Sequence, residues 1–390
     1  MKILRPLLGL LLATCLPANA ADKLDPTAIK TALRRAFDWQ ATHPTTEKPG
    51  MKRGDGIDGW VRGAFMTGVL AAAQTTKDTA YTDYAWAWAR KCHWKPGPNI
   101  LNADHLVVTQ SFLDLYRLDP KRADLHPTIA AFDQLVGTYH YGADLLWWCD
   151  SLFMLPPALT RLSVATGNPR YRTEMERLYW ESSHFLFDPK EHLYSRDKRF
   201  MPETPGFQPM IVEKNGTKVP CLEKNGRKMF WSRGNSWVLA GLARLMDDLP
   251  ASDPERKKFE HRFQELAARV LELRPADGLW RMGLLDPDAY PHGEASGTAF
   301  FTFAFAWGIE HHLLDRSTYL PAVEKSWAAV LACQKPDGML GYVQRIGAAP
   351  DALSENDSQE YGTGAFLLAG SELLKLTTET GGGGGNRTRE

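Results

Sequence analysis

The sequence predicts an all-α fold, an (α/α)6 barrel of six helical hairpins. Apolar residues recur at three- and four-residue spacing through most of the chain, whereas strand-like alternation is nearly confined to residues 193–229. This periodicity divides the chain into roughly twelve helical segments. They are expected to begin near Pro26, Asp58, Asp78, Asp104, Lys121, Asp150, Asn168, Arg233, Asp253, Glu294, Ser317 and Tyr361.

Two kinds of helix alternate along the chain. Several odd-numbered segments start with Asp, Asn or Pro and carry many charges, as in residues 253–258, which is typical of capped, solvent-facing helices. The even-numbered segments, such as residues 296–301 and 362–370, are rich in Gly, Ala and aromatic residues and suit a crowded interior. Outer and inner helices alternating around a closed ring form the barrel. A helical solenoid would show the same alternation and stays open as the competing fold.

Residues 1–20 have the pattern of a secretory signal peptide. Lys2 and Arg5 supply the charge, an apolar run follows over residues 7–16, and residues 18–20 form the small-residue cleavage site. We therefore expect one catalytic barrel domain over residues 21–380 and a Gly-rich, disordered tail over 381–390. Cys15 would allow lipid anchoring, but Thr14 stands where Gly or Ala is usual. The expected location is the periplasm or the outside of a bacterial cell.

Charge and composition restrict the partners. Lys+Arg and Asp+Glu are equal at 46 each, so no basic field exists to hold nucleic acid. No later apolar run approaches the roughly twenty residues that span a bilayer. The 13 Trp residues supply either stacking surfaces for sugar rings or filling for a large core. The cysteines after the signal, Cys92, Cys149, Cys221 and Cys333, show neither metal-ligand spacing nor a dense disulfide framework, so their pairing stays open, with buried free thiols as the plain alternative.

Unusual polar residues cluster at the expected starts of the inner helices. In a barrel those ends meet at one mouth, so residues far apart in sequence converge on one concave site whose helix N-termini favour anionic groups. The clusters are residues 58–60, 102–105, 147–150, 231–235 and 360–362.

Two carboxylates in these clusters, Asp104 and Asp150, stand among uncharged or aromatic neighbours rather than in runs of Lys and Arg. Two acids in one poorly solvated pocket repel each other as anions, so one keeps its proton near neutral pH and can act as a general acid. The other stays ionised and orients water. Plain capping of the two helices is the structural alternative for each Asp.

Ordered motifs in the chain resemble those of the unsaturated glycuronyl hydrolases, glycoside hydrolase families 105 and 88. Residues 148–159, WCDSLFMLPPAL, are similar to the signature Trp-x-Asp-x-Leu-Phe-Met-x-x-Pro. Residues 231–237, WSRGNSW, resemble the motif Trp-x-Arg-Gly-Asn-Gly-Trp, and residues 102–116 resemble the segment with the second catalytic aspartate. The likeness covers most of the mature chain and leans toward the unsaturated rhamnogalacturonyl hydrolases.

The resemblance implies an exo-acting glycoside hydrolase on an (α/α)6 barrel that needs no metal or cofactor. Its expected partner is an oligosaccharide left by a polysaccharide lyase, from which it releases the 4,5-unsaturated uronic acid at the non-reducing end, with rhamnose favoured as the next sugar. Asp150 would be the general acid and then the base that activates water, while Asp104 would tune its protonation. Trp60, Trp148 and Trp237 would form walls around the sugar.

Further residues bear on substrate contact. Arg233 would meet the substrate carboxylate or hydroxyls with its planar donor fork, an ion pair within the protein being the alternative. Some relatives have a His where this chain has Arg196, which would hold the uronate carboxylate. His140 lies shortly before Asp150 and would contact the sugar unless it is a structural loop residue. A milder departure is Ser236, which replaces the second Gly of the motif.

Other functions stay open at this point. An inverting glycosidase would use two carboxylates at a wider separation with water between them. A sugar-binding protein would need only the aromatic residues and Arg, and a sugar epimerase would need a converging His pair that the sequence does not offer. Ulvan-derived and arabinogalactan-derived substrates also stay open, and a monomer is the default expectation.

Overall fold

Two layers of helices make up the protein. The computed structural model describes residues 24–212, 216 and 218–381, with side chains to residue 378. The predicted signal peptide and the predicted tail beyond Gly381 lie outside these residues. The α-helices are α1 (Pro26–Thr42), α2 (Trp60–Thr76), α3 (Thr79–Lys91), α4 (Ala103–Leu106), α5 (Val108–Leu118), α6 (His126–Val136), α7 (Gly142–Leu145), α8 (Ser151–Met154), α9 (Pro156–Thr166), α10 (Pro169–Leu186), α11 (Ser232–Met246), α12 (Arg256–Glu272), α13 (Ala295–Glu310), α14 (Arg316–Ala332) and α15 (Glu360–Gly381).

The outer layer consists of α1, α3, α6, α10, α12 and α14. Each buries one face only; α12, for example, buries residues at the three- and four-residue spacing of an amphipathic helix. Capping starts four of these helices, because the side chains of Asp25, Asp78, Asn168 and Asp315 accept backbone N–H groups of the first turn. The helix expected to start near Lys121 begins instead at His126, where Pro127 fixes the first turn.

The inner layer consists of α2, α5, α9, α11, α13 and α15. Every residue of α11 is buried, as are residues 295–309 of α13, because an inner helix is covered both by its neighbours in the ring and by the outer layer. The short helices α4 and α8 precede α5 and α9, and α9 begins with Pro156 and Pro157, which suit the first turn of a helix but cannot continue α8.

The inner helices close into a ring, which decides between the barrel and the solenoid. Each of them packs against the next in chain order, and α15 packs against α2. This last contact is close because Gly68 and Gly364 face each other. A Cβ atom on Gly68 would lie 2.2 Å from the Gly364 carbonyl oxygen. The prediction of an (α/α)6 barrel is therefore confirmed.

The strands of the described chain lie between α10 and α11; β2, β3 and β4 fall within the stretch where the sequence shows alternation, and β1 precedes it. β1 (Phe187–Asp188) pairs antiparallel with β2 (Leu193–Tyr194), and β3 (Met210–Val212) pairs antiparallel with β4 (Lys218–Pro220). A small apolar cluster joins this region to the loop before α15; it contains Phe200, Cys221, Met229, Ala348 and Ala349.

Cys92, Cys149, Cys221 and Cys333, whose pairing the sequence leaves open, are buried and unpaired in the described chain. Across the same residues, no helix has both the length and the apolar character that a membrane crossing requires.

Candidate active site

The starts of the inner helices meet at one end of the barrel, which we call the mouth. Trp60, the first residue of α2, stacks on Tyr361 near the start of α15, with ring centroids 5.0 Å apart. Arg233 near the start of α11 donates to the Tyr361 hydroxyl over 3.1 Å. The C-terminal halves of the inner helices meet at the opposite end, around a charged cavity of about 230 Å³. The predicted polar clusters therefore share one end of the molecule.

Asp104 and Asp150 lie side by side at this mouth. Asp104 is the second residue of α4, and Asp150 immediately precedes α8, which packs against α4. The side chain of Asn102, not of Asp104, caps α4 by accepting the Asp104 N–H over 3.1 Å. The Asp150 side chain makes no capping hydrogen bond to the described part of α8. Capping therefore does not account for either carboxylate.

Burial raises the pKa of both carboxyl groups. Asp104 keeps some exposed surface, but the protein packed around it removes most of its hydration. This desolvation and the negative charge of Asp150 raise the pKa of Asp104 to about 7, against the smaller opposing effect of Arg196. The pKa of Asp150, which is 8% exposed, is also raised by burial, and Arg196 and Arg233 limit the rise. Such a pair shares one proton near neutral pH.

Arg196 places a cation beside Asp150. Its Nε lies 3.7 Å from Asp150 Oδ2, and its Nη1 donates to Asp197 Oδ2 over 2.7 Å. The guanidinium also lies over the Trp147 ring, 5.2 Å from its centroid. The buried Nε has no hydrogen-bond partner among the described residues. Arg196 thus places a fixed positive charge at the mouth, with its buried Nε donor unused.

Asn235 fixes the segment that carries Arg196. Its Oδ1 accepts the Tyr194 N–H over 2.8 Å, and its Nδ2 donates to the Tyr194 carbonyl over 3.0 Å. Two residues later, the Arg196 carbonyl accepts the Cys149 N–H over 2.8 Å, next to Asp150. The Asn of the Arg-Gly-Asn motif is therefore a positioning residue, a role that sequence spacing did not reveal.

Arg233 is buried and anchors a loop. Its Nη1 donates to the Gln344 carbonyl over 2.5 Å and its Nη2 to the Arg345 carbonyl over 2.9 Å, so the guanidinium holds the segment that leads into α15. It also lies 4.4 Å from the centroid of the Trp231 ring. Its donor fork therefore bonds to backbone carbonyl groups rather than to a carboxylate of the protein or to an open face of the site. Its charge still reaches Asp150 and limits the rise that burial causes in the pKa of that carboxyl.

The three tryptophans predicted to form walls around the sugar differ in how far they are exposed. Trp60 is half-buried and offers part of its ring at the mouth. Trp237 is 1% exposed and packs on Phe300 with ring centroids 4.2 Å apart, so it supports the site from within the core. Trp148 is 6% exposed, whereas its neighbour Trp147 is 44% exposed. Sequence reasoning included Trp147 in the cluster but did not select it, because adjacent tryptophans give no signal for which one faces solvent.

Closeness in sequence to a predicted site residue does not identify which side chains support the mouth, as His140 and Glu294 illustrate. The backbone carbonyl of His140 accepts Arg177 Nη2 over 2.8 Å, which ties this residue to the outer helix α10. Glu294, in contrast, caps α13 and accepts the Gln344 N–H over 3.0 Å, so it helps to hold the loop that Arg233 anchors. The described residues contain no group of three or more His, Cys, Asp or Glu side chains that could hold a metal ion.

Comparison with known proteins assigns the family. A family model described as Glycosyl Hydrolase Family 88 matches residues 32–377, which include nearly the whole ring and its mouth. The chain belongs to glycosyl hydrolase family 88. This family 88 protein is 39% identical over 377 residues to an unsaturated 3S-rhamnoglycuronyl hydrolase of Formosa agariphila, covering 93% of this chain and 95% of that protein.

Solved structures agree with the family 88 assignment. A family 88 glycosyl hydrolase from Bacteroides vulgatus matches with a TM-score of 0.79 and 27% identity over 90% of this chain and 100% of that chain. A protein described as a polysaccharide lyase matches with a TM-score of 0.79 and 29% identity over 90% of this chain and 98% of that chain. The prediction of a glycoside hydrolase is confirmed. The roles of the individual mouth residues stay predictions.

Proposed function

We propose that this family 88 enzyme releases a 4,5-unsaturated uronic acid from the non-reducing end of an oligosaccharide by hydrating the C4=C5 double bond. The observation that carries the proposal is the pair Asp104 and Asp150, two desolvated carboxyls with raised pKa values beside the cation of Arg196. A proton donor near neutral pH and a cation for a carboxylate are the two groups that an unsaturated uronate requires. The activity of the Formosa agariphila relative supports the same substrate class.

The reaction needs one proton donor and one water molecule. The protonated carboxyl of Asp150 gives its proton to C4, and the electron pair of the double bond forms the new C–H bond. The positive charge that develops at C5 is shared with the ring oxygen, as in other oxocarbenium-like states. The Asp150 carboxylate then takes a proton from water as the water oxygen bonds to C5. The resulting hemiketal opens to a C5 ketone, and the hemiacetal left at C1 expels the next sugar.

Arg196 supplies a reason for the shared proton to reside on Asp150 during the reaction. In the free enzyme its charge limits the rise in the Asp150 pKa. A bound uronate carboxylate would engage the unused Nε of Arg196, whose planar fork suits a carboxylate. Asp150 would then share the Arg196 cation with the substrate carboxylate and would also lie near a second negative charge. Both effects raise the pKa of Asp150. Substrate binding thereby favours a proton on Asp150.

We propose rhamnose as the sugar on the leaving side. The name of the Formosa agariphila relative joins a glycuronyl group to rhamnose, and the sequence motifs favour the same neighbour. The distinction between galacturonate and glucuronate is lost at the cleaved end, because both have a trigonal C4 once the double bond has formed. The substrate is therefore defined by its leaving sugar rather than by the original configuration at C4.

The test follows the ultraviolet absorbance of the conjugated uronate when purified enzyme meets unsaturated uronyl-rhamnose oligosaccharides. The expected result is loss of absorbance with the wild type and none with Asp150→Asn. Cleavage of saturated oligosaccharides without loss of absorbance would instead establish an inverting glycosidase. A rise in absorbance on intact polysaccharide would establish a lyase, the activity described for one structural relative.

We also propose that the enzyme is exported. The proposal rests on the charged, apolar and small-residue regions of residues 1–20. Expression of the full chain in a Gram-negative host, followed by cell fractionation and N-terminal sequencing, tests it. A mature N-terminus at Ala21 in the periplasm or medium is expected, whereas an intact N-terminus in the cytoplasm would contradict export.

A further inference from the structure

A second cavity of about 580 Å³ lies at the same end of the barrel as the two aspartates. Its walls come from the segments that precede α11, α13 and α15, which are the segments that build the mouth. Its volume falls in the range of about 300–1,000 Å³ that small-ligand sites occupy. Most of the lining is apolar, including Pro220, Leu222, Met282, Pro291, Pro350 and Leu353.

One buried acid, Glu223, lines this apolar cavity. It is 4% exposed, and its Oε2 accepts the Tyr290 hydroxyl over 2.9 Å. Its Oε1 is buried without a hydrogen-bond partner among the described residues. Burial raises the pKa of Glu223 to about 7. A buried acceptor without a partner is costly, and a ligand hydroxyl that reaches it would remove that cost.

Gly283 leaves the space that the carboxyl of Glu223 occupies. A Cβ atom there would lie 2.4 Å from Glu223 Oε1 and 2.6 Å from the Tyr290 ring, so no larger residue fits while the carboxyl keeps this position. Gly283 also bridges to Trp231, two residues before Arg233. The backbone beside Glu223 in the cavity is therefore paired with the backbone that leads to Arg233.

The loop that forms another wall is tied to the same anchor. Trp231 Nε1 donates to Gln344 Oε1 over 2.9 Å, and Gln344 Nε2 donates to the Ala349 carbonyl over 2.6 Å. The cavity wall begins one residue later, at Pro350. Because Arg233 holds the carbonyl groups of Gln344 and Arg345, the loop runs directly from the catalytic mouth to this cavity.

The lining selects the chemistry of the occupant. Lys224 and Asp351, both exposed, carry opposite charges at the rim, and the buried acid disfavours an anion. Apolar walls with one buried acceptor suit a ring that has C–H faces and a hydroxyl donor, as an uncharged sugar has. We propose that the cavity binds an uncharged sugar ring of the oligosaccharide, beyond the first sugar on the leaving side, with a ring hydroxyl donating to Glu223 Oε1. This inference rests on the proposed function.

The test compares kcat/KM for unsaturated di-, tri- and tetrasaccharides that share the same terminal uronate. For the wild type we expect a longer substrate to be favoured about tenfold, which corresponds to about 1.4 kcal/mol. Ala352→Trp fills the cavity from its exposed rim and should reduce this advantage to less than about twofold while the disaccharide rate stays within about twofold. Ala130→Trp, on the exposed face of α6, is the matched control and should keep the full advantage.

A second pair of variants tests the acceptor itself. Glu223→Gln keeps an acceptor oxygen and should retain most of the length advantage, whereas Glu223→Met should lose it. Thermal midpoints establish that each variant is folded. A wild type that cuts the disaccharide with no preference for length, or a preference that survives both Ala352→Trp and Glu223→Met, overturns the cavity assignment but leaves the proposed function standing. Absence of hydrolysis on every unsaturated substrate overturns both.

Discussion

The two ends of the barrel both contain buried aspartates, but the neighbouring charges give them opposite properties. At the mouth, two carboxyls share the cation of Arg196, and burial raises the pKa of Asp104 to about 7. At the opposite end, Asp114 on α5 is equally desolvated, yet its pKa is lowered. There Arg161 Nε donates to Asp114 Oδ1 over 3.0 Å, and Arg244 Nη2 lies 3.6 Å from Oδ2.

This difference separates reactivity from stability. Desolvation acts on every buried carboxyl, and a directly bonded cation decides whether the acid keeps its proton. At the mouth, no Arg or Lys of the described chain donates a hydrogen bond to Asp104 or Asp150, and Arg196 Nε stays 3.7 Å from Asp150 Oδ2, which leaves a proton donor. At the closed end, Asp114 accepts directly from Arg161, and the ion-pair network there also includes Asp248, bonded to Arg117. Substitutions at the two ends should therefore affect different measurements.

The largest expected effect is the loss of catalysis in Asp150→Asn. An amide of the same shape cannot give a proton to C4, so kcat should fall by about 10²–10⁴-fold or more. The measurement is the initial rate of absorbance loss, with the thermal midpoint as a control for folding. A variant that retains more than about a tenth of wild-type kcat would remove Asp150 from the role of proton donor.

The matched change at the closed end is Asp114→Asn. It leaves Arg161 and Arg244 buried with fewer negative partners, which typically costs about 3–5 kcal/mol of unfolding free energy. Denaturant unfolding measures the loss, and kcat measured well below the unfolding transition should stay within about threefold of wild type. If Asp114→Asn instead abolished activity in the folded protein, the division between the two ends would be wrong.

Arg196→Met tests the cation that the two mouth carboxyls share. Its charge lowers the pKa of both Asp104 and Asp150, so its removal should raise both pKa values and move the basic limb of the kcat/KM profile to higher pH. KM should rise about tenfold or more, because the substrate carboxylate loses a charged partner. Arg196→Lys is the control that keeps the charge without the planar fork. An unchanged basic limb in Arg196→Met would argue against its coupling to Asp150.

The smallest expected effect is on stability, in Asp104→Asn. The folded-state pKa of about 7 lies above the unfolded value of about 3.9, so the folded protein binds the proton more tightly than the unfolded chain. Wild-type stability from this group is therefore lost as the pH rises from about 4 to about 7. Asp104→Asn should match the wild type at pH 4 and melt about 1–3 °C higher at pH 8. If Asp104→Asn melted lower than the wild type at pH 8 while matching it at pH 4, the assigned direction of the Asp104 pKa shift would be wrong.

Much of this molecule was determined by the sequence itself. Helical periodicity is local, so the alternation of charged outer and small-residue inner helices appears directly in the chain, as do the caps at Asp25, Asp78 and Asn168. The ring does not follow from this pattern, because a solenoid would show the same alternation; the packing of α15 against α2 decided it. Asp104 and Asp150 were predicted because each begins an inner segment without a compensating charge.

Tertiary structure decided which side chains face the mouth and which charges meet there. The exposure of Trp147 rather than Trp148, the burial of Trp237 and the use of Arg233 as a loop anchor depend on contacts between segments more than a hundred residues apart, such as Arg233 with Gln344. The position of Arg196 beside Asp150 depends likewise on how Asn235 holds Tyr194. A sequence specifies where a helix begins, but depth, dielectric and neighbouring charge, which set a pKa, exist only once the ring has closed.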